Sequence, residues 1–144
     1  MTDNVELIKQ SLNPFIINSK YKIETFDYND GCFGNIYITL KSSFGTNIEF
    51  VRDRGIISCS IGNGTRYFDK WEDLNEVYFE MYGEYPDMPK DTEDIINYLH
   101  NIFILISNNE PMLQKLTNKF LFRKVSKRIF IRKKKEWINK YGNK

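Results

Sequence analysis

Apolar side chains recur along this chain with two different periods, and the points where the period changes divide it into elements. In residues 3–15, Val5, Leu7, Ile8 and Leu12 fall at helical spacing, with Asp3 placed to cap, which predicts a short amphipathic helix ending near Pro14. From residue 21 to 68 the texture changes to short β-branched and aromatic runs separated by Gly, Asn and Asp. These predict strands over about 21–28, 35–42, 47–53, 56–61 and 66–68. The connectors, Arg54-Gly55 and Asn63-Gly64 among them, are too short for the crossovers that parallel neighbours need, so the strands form an antiparallel meander. Asn63-Gly64 is the most specific turn signal, because both central residues of a tight hairpin turn need positive φ.

Alternation assigns the faces. Ile36, Ile38 and Leu40 share one side of their strand, as do Ile48 with Phe50 and Ile57 with Cys59 and Ile61. Tyr37, Thr39, Lys41, Glu49, Ser58 and Ser60 take the other side, which suits solvent or a polar partner. After Asp69 the helical period returns. Trp71, Leu74, Val77, Tyr78 and Met81 form a stripe, with Asp69 and Glu72 as a variant capping box and Gly83 as the stop. A loop holding Pro86 and Pro89 leads to a second helix, capped by Asp91 or Thr92, whose apolar face includes Ile95, Leu99, Ile102 and Ile106. Asn108-Asn109 ends it, and Pro111 suits the first turn of a third. Beyond this, Leu113, Leu116 and Phe120 continue a helical stripe, but Phe120-Leu-Phe and Ile129-Phe-Ile put apolar groups on every side of a helical wheel. The expectation is helix to about Tyr141 with a break near 122–124.

The fold class expected is α+β. An antiparallel β-meander of four to five strands carries an N-terminal helix and C-terminal helices on one face, within a single domain spanning 1–144. At 144 residues, with 41% hydrophobic and 28% charged side chains, the chain has the size and composition of one globular domain. Its most apolar run, 102–106, is five residues long, against the roughly 18 a membrane span needs, so no transmembrane segment is expected. The opening residues show neither a basic n-region nor an apolar h-region, which points to the cytoplasm and to reduced thiols for Cys32 and Cys59.

Charge changes this picture more than composition does. Residues 1–111 carry 9 Lys/Arg against 18 Asp/Glu, and residues 112–144 carry 12 against one, so an acidic body of formal charge −9 is followed by a basic segment of +11. In that segment Arg128, Arg132, Lys133, Lys134 and Lys135 interleave with Phe130 and Trp137, the combination of cations and stacking rings that binds nucleic acid or another anionic surface. The same cations could instead fold back on the acidic body.

Catalytic and metal chemistry find little support. One histidine, His100, and two distant cysteines supply no metal-ligand spacing, and the acids Asp91, Glu93 and Asp94 suit a helix start. Cys59 alternates with buried isoleucines, and Cys32 would need His100 as its base, a pairing only the fold could create. His100 itself reads as a satisfied, partly buried side chain within an apolar helix. Gly31, Gly34, Gly62 and Gly64 lack the strand-to-helix context of a phosphate loop and read as turn glycines. The expectation is a non-catalytic protein with no cofactor and no metal. Val51-Arg52-Asp53-Arg54-Gly55 differs in kind, because it places two guanidiniums and a carboxylate at a hairpin end. With Tyr37 and Glu49 on the free face, Arg52, Asp53 and Arg54 make the candidate protein-binding set.

The order of an amphipathic helix, Phe33-Gly34-Asn35 leading into Ile38-Thr-Leu-Lys-Ser-Ser, then Ile48-Glu-Phe-Val-Arg-Asp-Arg-Gly-Ile and Trp71-Glu-Asp-Leu resembles small bacterial proteins, over about residues 5–80. Some of these are similar to immunity proteins of polymorphic toxin systems. The resemblance implies binding and neutralising a toxin domain, and it brings no catalytic residue set.

Overall fold

Alternating apolar side chains make strands worth pairing only if one side of every strand reaches a common core, and the sheet obeys that condition. The computed structural model describes residues 4–17, 20–29, 31, 34–43, 45–63, 71–87 and 95–142. In chain order these form α1 (Asn4–Ile16), β1 (Tyr21–Asn29), β2 (Asn35–Ser42), β3 (Asn47–Asp53), β4 (Ile56–Gly62), β5 (Trp71–Asp73), α2 (Leu74–Tyr82), α3 (Ile95–Asn108), α4 (Glu110–Thr117) and α5 (Lys119–Tyr141). The five strands lie side by side in sequence order, every neighbouring pair antiparallel, so the fold is α+β as the sequence predicts.

One side of the sheet is core. Ile38, Leu40, Ile48, Phe50 and Ile61 are fully enclosed, and Ile8, Leu12 and Phe15 of α1 close over them together with Leu99 and Ile102 of α3. Phe15 lies edge-on to Tyr21, Phe50 and Phe103, with ring centroids 5.8, 6.0 and 5.1 Å away. In β1 a bulge between Ile23 and Thr25 inserts Glu24 and shifts the parity, so that Phe26 and Tyr28 pair with the core-side Ile38 and Ile36.

Two boundaries differ from expectation. The stretch read as the first turn of a helix is instead β5, where Trp71, Glu72 and Asp73 pair with Gly62, Ile61 and Ser60 of β4. The helix begins at Leu74, and Asp73 rather than Asp69 caps it, accepting a hydrogen bond from the Asn75 N–H at 2.8 Å. Pairing with an open sheet edge satisfies three residues of backbone, which outweighs the first turn of a helix whose own donors would need caps. The expected strand at 66–68, Gly64 of the Asn-Gly turn, and the proposed caps Asp69, Asp91 and Thr92 lie outside the described residues.

The second difference is the helical break, which falls at Asn118 and not at 122–124. Asn118 adopts extended backbone (φ −50°, ψ 133°) and caps α5 by accepting from the Phe120 N–H at 3.2 Å. Helix α5 then runs unbroken for 23 residues, as the burial of Phe122, Val125 and Ile129 on one stripe requires. From Lys133 to Gly142 every residue is exposed, over about 14 Å of helix. Among the described residues no helix is long and apolar enough to cross a membrane.

The β3–β4 hairpin closes through Arg54 (φ 53°) and Gly55 (φ 83°), both in the left-handed region that a two-residue hairpin turn demands. Gly55 adopts it without strain, whereas Arg54 is the one non-glycine residue among those described to do so. The Asn35 side chain fastens the turn, its Oδ1 accepting the Arg54 N–H at 2.9 Å. Arg54→Asn should therefore raise stability by about 0.5–1 kcal/mol, since Asn tolerates this conformation better. A rise in the urea midpoint with an unchanged slope would show it.

Candidate partner-binding face

Strand register turns the sequence's alternation into a mapped surface. On the side away from the helices, Thr25, Thr39, Glu49, Ser60 and Asp73 stand in line across all five strands, each paired with the next. A second row runs beside it through Asp27, Tyr37, Val51 and Ser58. Apart from Val51, both rows are made of hydroxyls, carboxylates and one phenol. The Tyr37 hydroxyl donates to Glu49 Oε2 at 2.9 Å, bridging the rows diagonally and fixing the ring against the sheet. Thr39 sits at the centre of the first row and is only 3% exposed.

Beyond the second row the sheet ends in the β3–β4 turn. There Asp27, Tyr37, Arg52 and Asp53 line a shallow groove together with Asn35. Asp53 lies on the open face by parity and pairs with Ile56 across the turn, and it accepts from the Asn35 side-chain amide at 3.4 Å. Arg54 is exposed at the tip. Arg52 differs from the others. Its register partners are Ile36 and Ile57 of the core side, and its guanidinium donates through Nε and a terminal nitrogen to the Gly34 carbonyl, at 2.9 and 2.7 Å. Gly34 has φ 65°, which a side chain would strain, and a Cβ on it would come within 2.9 Å of that guanidinium, so a larger residue here would push the Arg52 fork aside. The structure thus brings Tyr37, Glu49 and Asp53 onto one face, sets Arg54 beside them, and commits the Arg52 fork to the Gly34 carbonyl ahead of β2.

The basic segment divides in two. Arg132 is only 20% exposed; its guanidinium bonds the Glu76 carboxylate, stands 3.7 Å from Glu80 Oε1, and lies over the Phe79 ring at 4.3 Å. Arg128 reaches Glu80 at 3.7 Å. These two cations fold back on acids of α2. Lys133, Lys134, Lys135 and Trp137 belong to the exposed end of α5, where Trp137 stacks at a tilt on Tyr141 with centroids 5.6 Å apart.

The other chemical candidates separate in the fold. Cys59 is fully enclosed beneath the sheet, and burial, ahead of the nearby Asp73 and Glu49 charges, pushes its thiol well above the ordinary range, so it is not poised as a nucleophile. His100 is exposed rather than partly buried, beside Ser11, Ile96 and Asn97 on the far side of α3. Cys32, Asp91, Glu93 and Asp94 lie outside the described residues, and among those described no group of three or more His, Cys, Asp or Glu could hold a metal ion. Sequence reasoning missed Thr25 and Asp73, which complete the central row, and Glu76 and Glu80, which receive the arginines. The first pair could have been found only by knowing the bulge and β5. The second had a signal in the i, i+4 spacing of two acids on α2. Comparison with protein families, with curated proteins and with solved structures finds no match.

Proposed function

We propose that the protein is a non-catalytic cytoplasmic binding module whose protein partner docks on the open face of the sheet, in the manner of an immunity protein neutralising a toxin domain. The observation that carries this reading is the polar row across five hydrogen-bonded strands with Tyr37 held over it by Glu49. A ring already fixed in the free protein loses little rotamer freedom when a partner closes over it, and tyrosine is among the residue types that dominate binding energy. The helices have already spent their apolar stripes on the core, so their inner faces are not available for a partner. Arg54 supports the reading from a different direction. Arginine is a costly choice for a left-handed turn position, and a guanidinium presented to solvent beside Asp53 offers a planar fork to an incoming carboxylate. The acidic excess over residues 1–111 would draw a cationic partner and speed its approach.

The test is titration against candidate toxin domains produced separately, starting with any encoded beside this gene. Tyr37→Ala should weaken binding by about 1–2 kcal/mol without lowering the melting temperature appreciably, and Tyr37→Phe should recover most of the contact area while losing the hydroxyl. Full affinity in Tyr37→Ala and in Arg54→Ala, with both variants folded, would move the interface off this face.

A further inference from the structure

Helix α5 has apolar side chains all round because it carries two opposed stripes. Phe122, Val125 and Ile129 fill one and are buried in the body. At 100° per residue, Phe120, Lys124, Lys127, Ile131, Lys134 and Ile138 fall within an arc of roughly 80° centred opposite the first stripe, and all six are exposed, with Lys127 at the rim of a cavity it lines with Trp71 and Glu72 of the body. Phe130, Trp137 and Tyr141 border that arc and are 66%, 61% and 53% exposed. So large an exposed apolar area on one helix calls for something to cover it.

Its chemistry narrows what that is. Lys124, Lys127, Lys134 and Lys135 have no ion pair among the described residues, in contrast to Arg128 and Arg132, which are spent on α2. The one acid of α5, Glu136, falls on the inner side of the wheel, close enough to influence Tyr85 of the body, and leaves the outward arc purely cationic. A second copy of the chain would bring lysine against lysine. Nucleic acid would satisfy the lysines and could stack on Trp137 and Tyr141, but Ile131 and Ile138 at the middle of the arc offer nothing to a base. A lipid surface uses all of them. Isoleucine and phenylalanine enter the acyl boundary, tryptophan and tyrosine sit at headgroup level, and lysines lay their stems along the apolar layer with the ammonium groups at anionic headgroups.

We propose that the outward arc of α5 is a peripheral membrane-binding surface, on which the helix lies flat against anionic lipid with Phe120, Ile131 and Ile138 inserted and the lysines at the headgroups. This surface belongs to a different element from the sheet face, and it stands or falls independently of the protein-binding reading.

The experiment is co-sedimentation of the full chain with vesicles of phosphatidylcholine alone and with 30% phosphatidylserine. Partition should be at least tenfold higher on the anionic vesicles and should fall at least tenfold in Ile131→Asp/Ile138→Asp. Both positions are exposed, so the variant's melting temperature should match the parent's, and Lys124→Gln/Lys127→Gln/Lys134→Gln offers a second route to the same loss. Bound protein should show blue-shifted tryptophan emission that Trp137→Phe removes. Absence of binding at low salt would overturn the proposal, as would binding that the isoleucine variant retains in full. Tighter binding to a single-stranded oligonucleotide, indifferent to the isoleucine change, would overturn it in favour of nucleic acid.

Discussion

Replacing Phe15 by alanine should cost the fold about 3–5 kcal/mol, the largest loss expected from any single substitution in α1. The ring is 2% exposed and meets aromatic rings from β1, β3 and α3 edge-on at once, through Tyr21, Phe50 and Phe103. Truncation removes the transfer energy of a phenyl group, three edge-to-face contacts, and the filler of a space that the sheet cannot collapse into, because its strands are held by their ladder. A domain of this size has about 5–15 kcal/mol of stability in total, so the variant should unfold at a much lower urea concentration. Phe15→Leu should cost clearly less, since a smaller cavity remains. A loss below about 1 kcal/mol for the alanine variant would mean that α1 does not close the core as described.

That core was legible in the sequence because both of its signals are local. Alternation put Ile38, Phe50, Ile57 and Ile61 on one side of their strands, and helical spacing put Ile8 and Leu12 above them; all are buried. The open face followed from the same parity, and Tyr37, Glu49 and Asp53 lie where it placed them. What escaped local reading depends on partners far along the chain. The Trp71-Glu-Asp segment has no strand character of its own and becomes a strand because β4 presents an unpaired edge. The bulge at Glu24 shows as a lapse in alternation that only the register with β2 explains.

The same holds for the arginines. Arg52 and Arg54 look equivalent in sequence, two residues apart at one turn, yet Arg52 closes on a carbonyl 18 residues earlier while Arg54 stays exposed. In the tail, Arg132 and Lys133 are neighbours. Helical geometry swings one toward α2 and the other away, and it sets the apparently patternless apolar residues of α5 into two opposed stripes. A break at 122–124 would have destroyed the inner stripe, and the cap at Asn118 preserves it.

Arg132 ties α5 to α2 through the Glu76 and Glu80 carboxylates, and Arg132→Met should cost about 2–4 kcal/mol. Methionine keeps much of the bulk over Phe79 but leaves Glu76 and Glu80, whose side chains are 17% and 14% exposed, in a partly desolvated site where Arg128 beside Glu80 and the Tyr85 hydroxyl, which donates to Glu76 at 3.4 Å, are what remains to them among the described residues. The cost comes less from losing the attraction than from stranding the carboxylates. Two further variants separate those contributions. Arg132→Lys restores the charge without the planar fork and should recover part of the loss. Combining Arg132→Met with Glu76→Gln and Glu80→Gln removes the stranded charge, and should bring stability back to within about 1 kcal/mol of the parent. If the triple variant were as unstable as Arg132→Met alone, packing on Phe79 and not charge would hold α5 to α2. Because the ion pairs lie just ahead of the exposed end of α5, the single variant should also speed amide exchange in α5 from about Ile129 onward while leaving the sheet protected, whereas Phe15→Ala should weaken protection throughout.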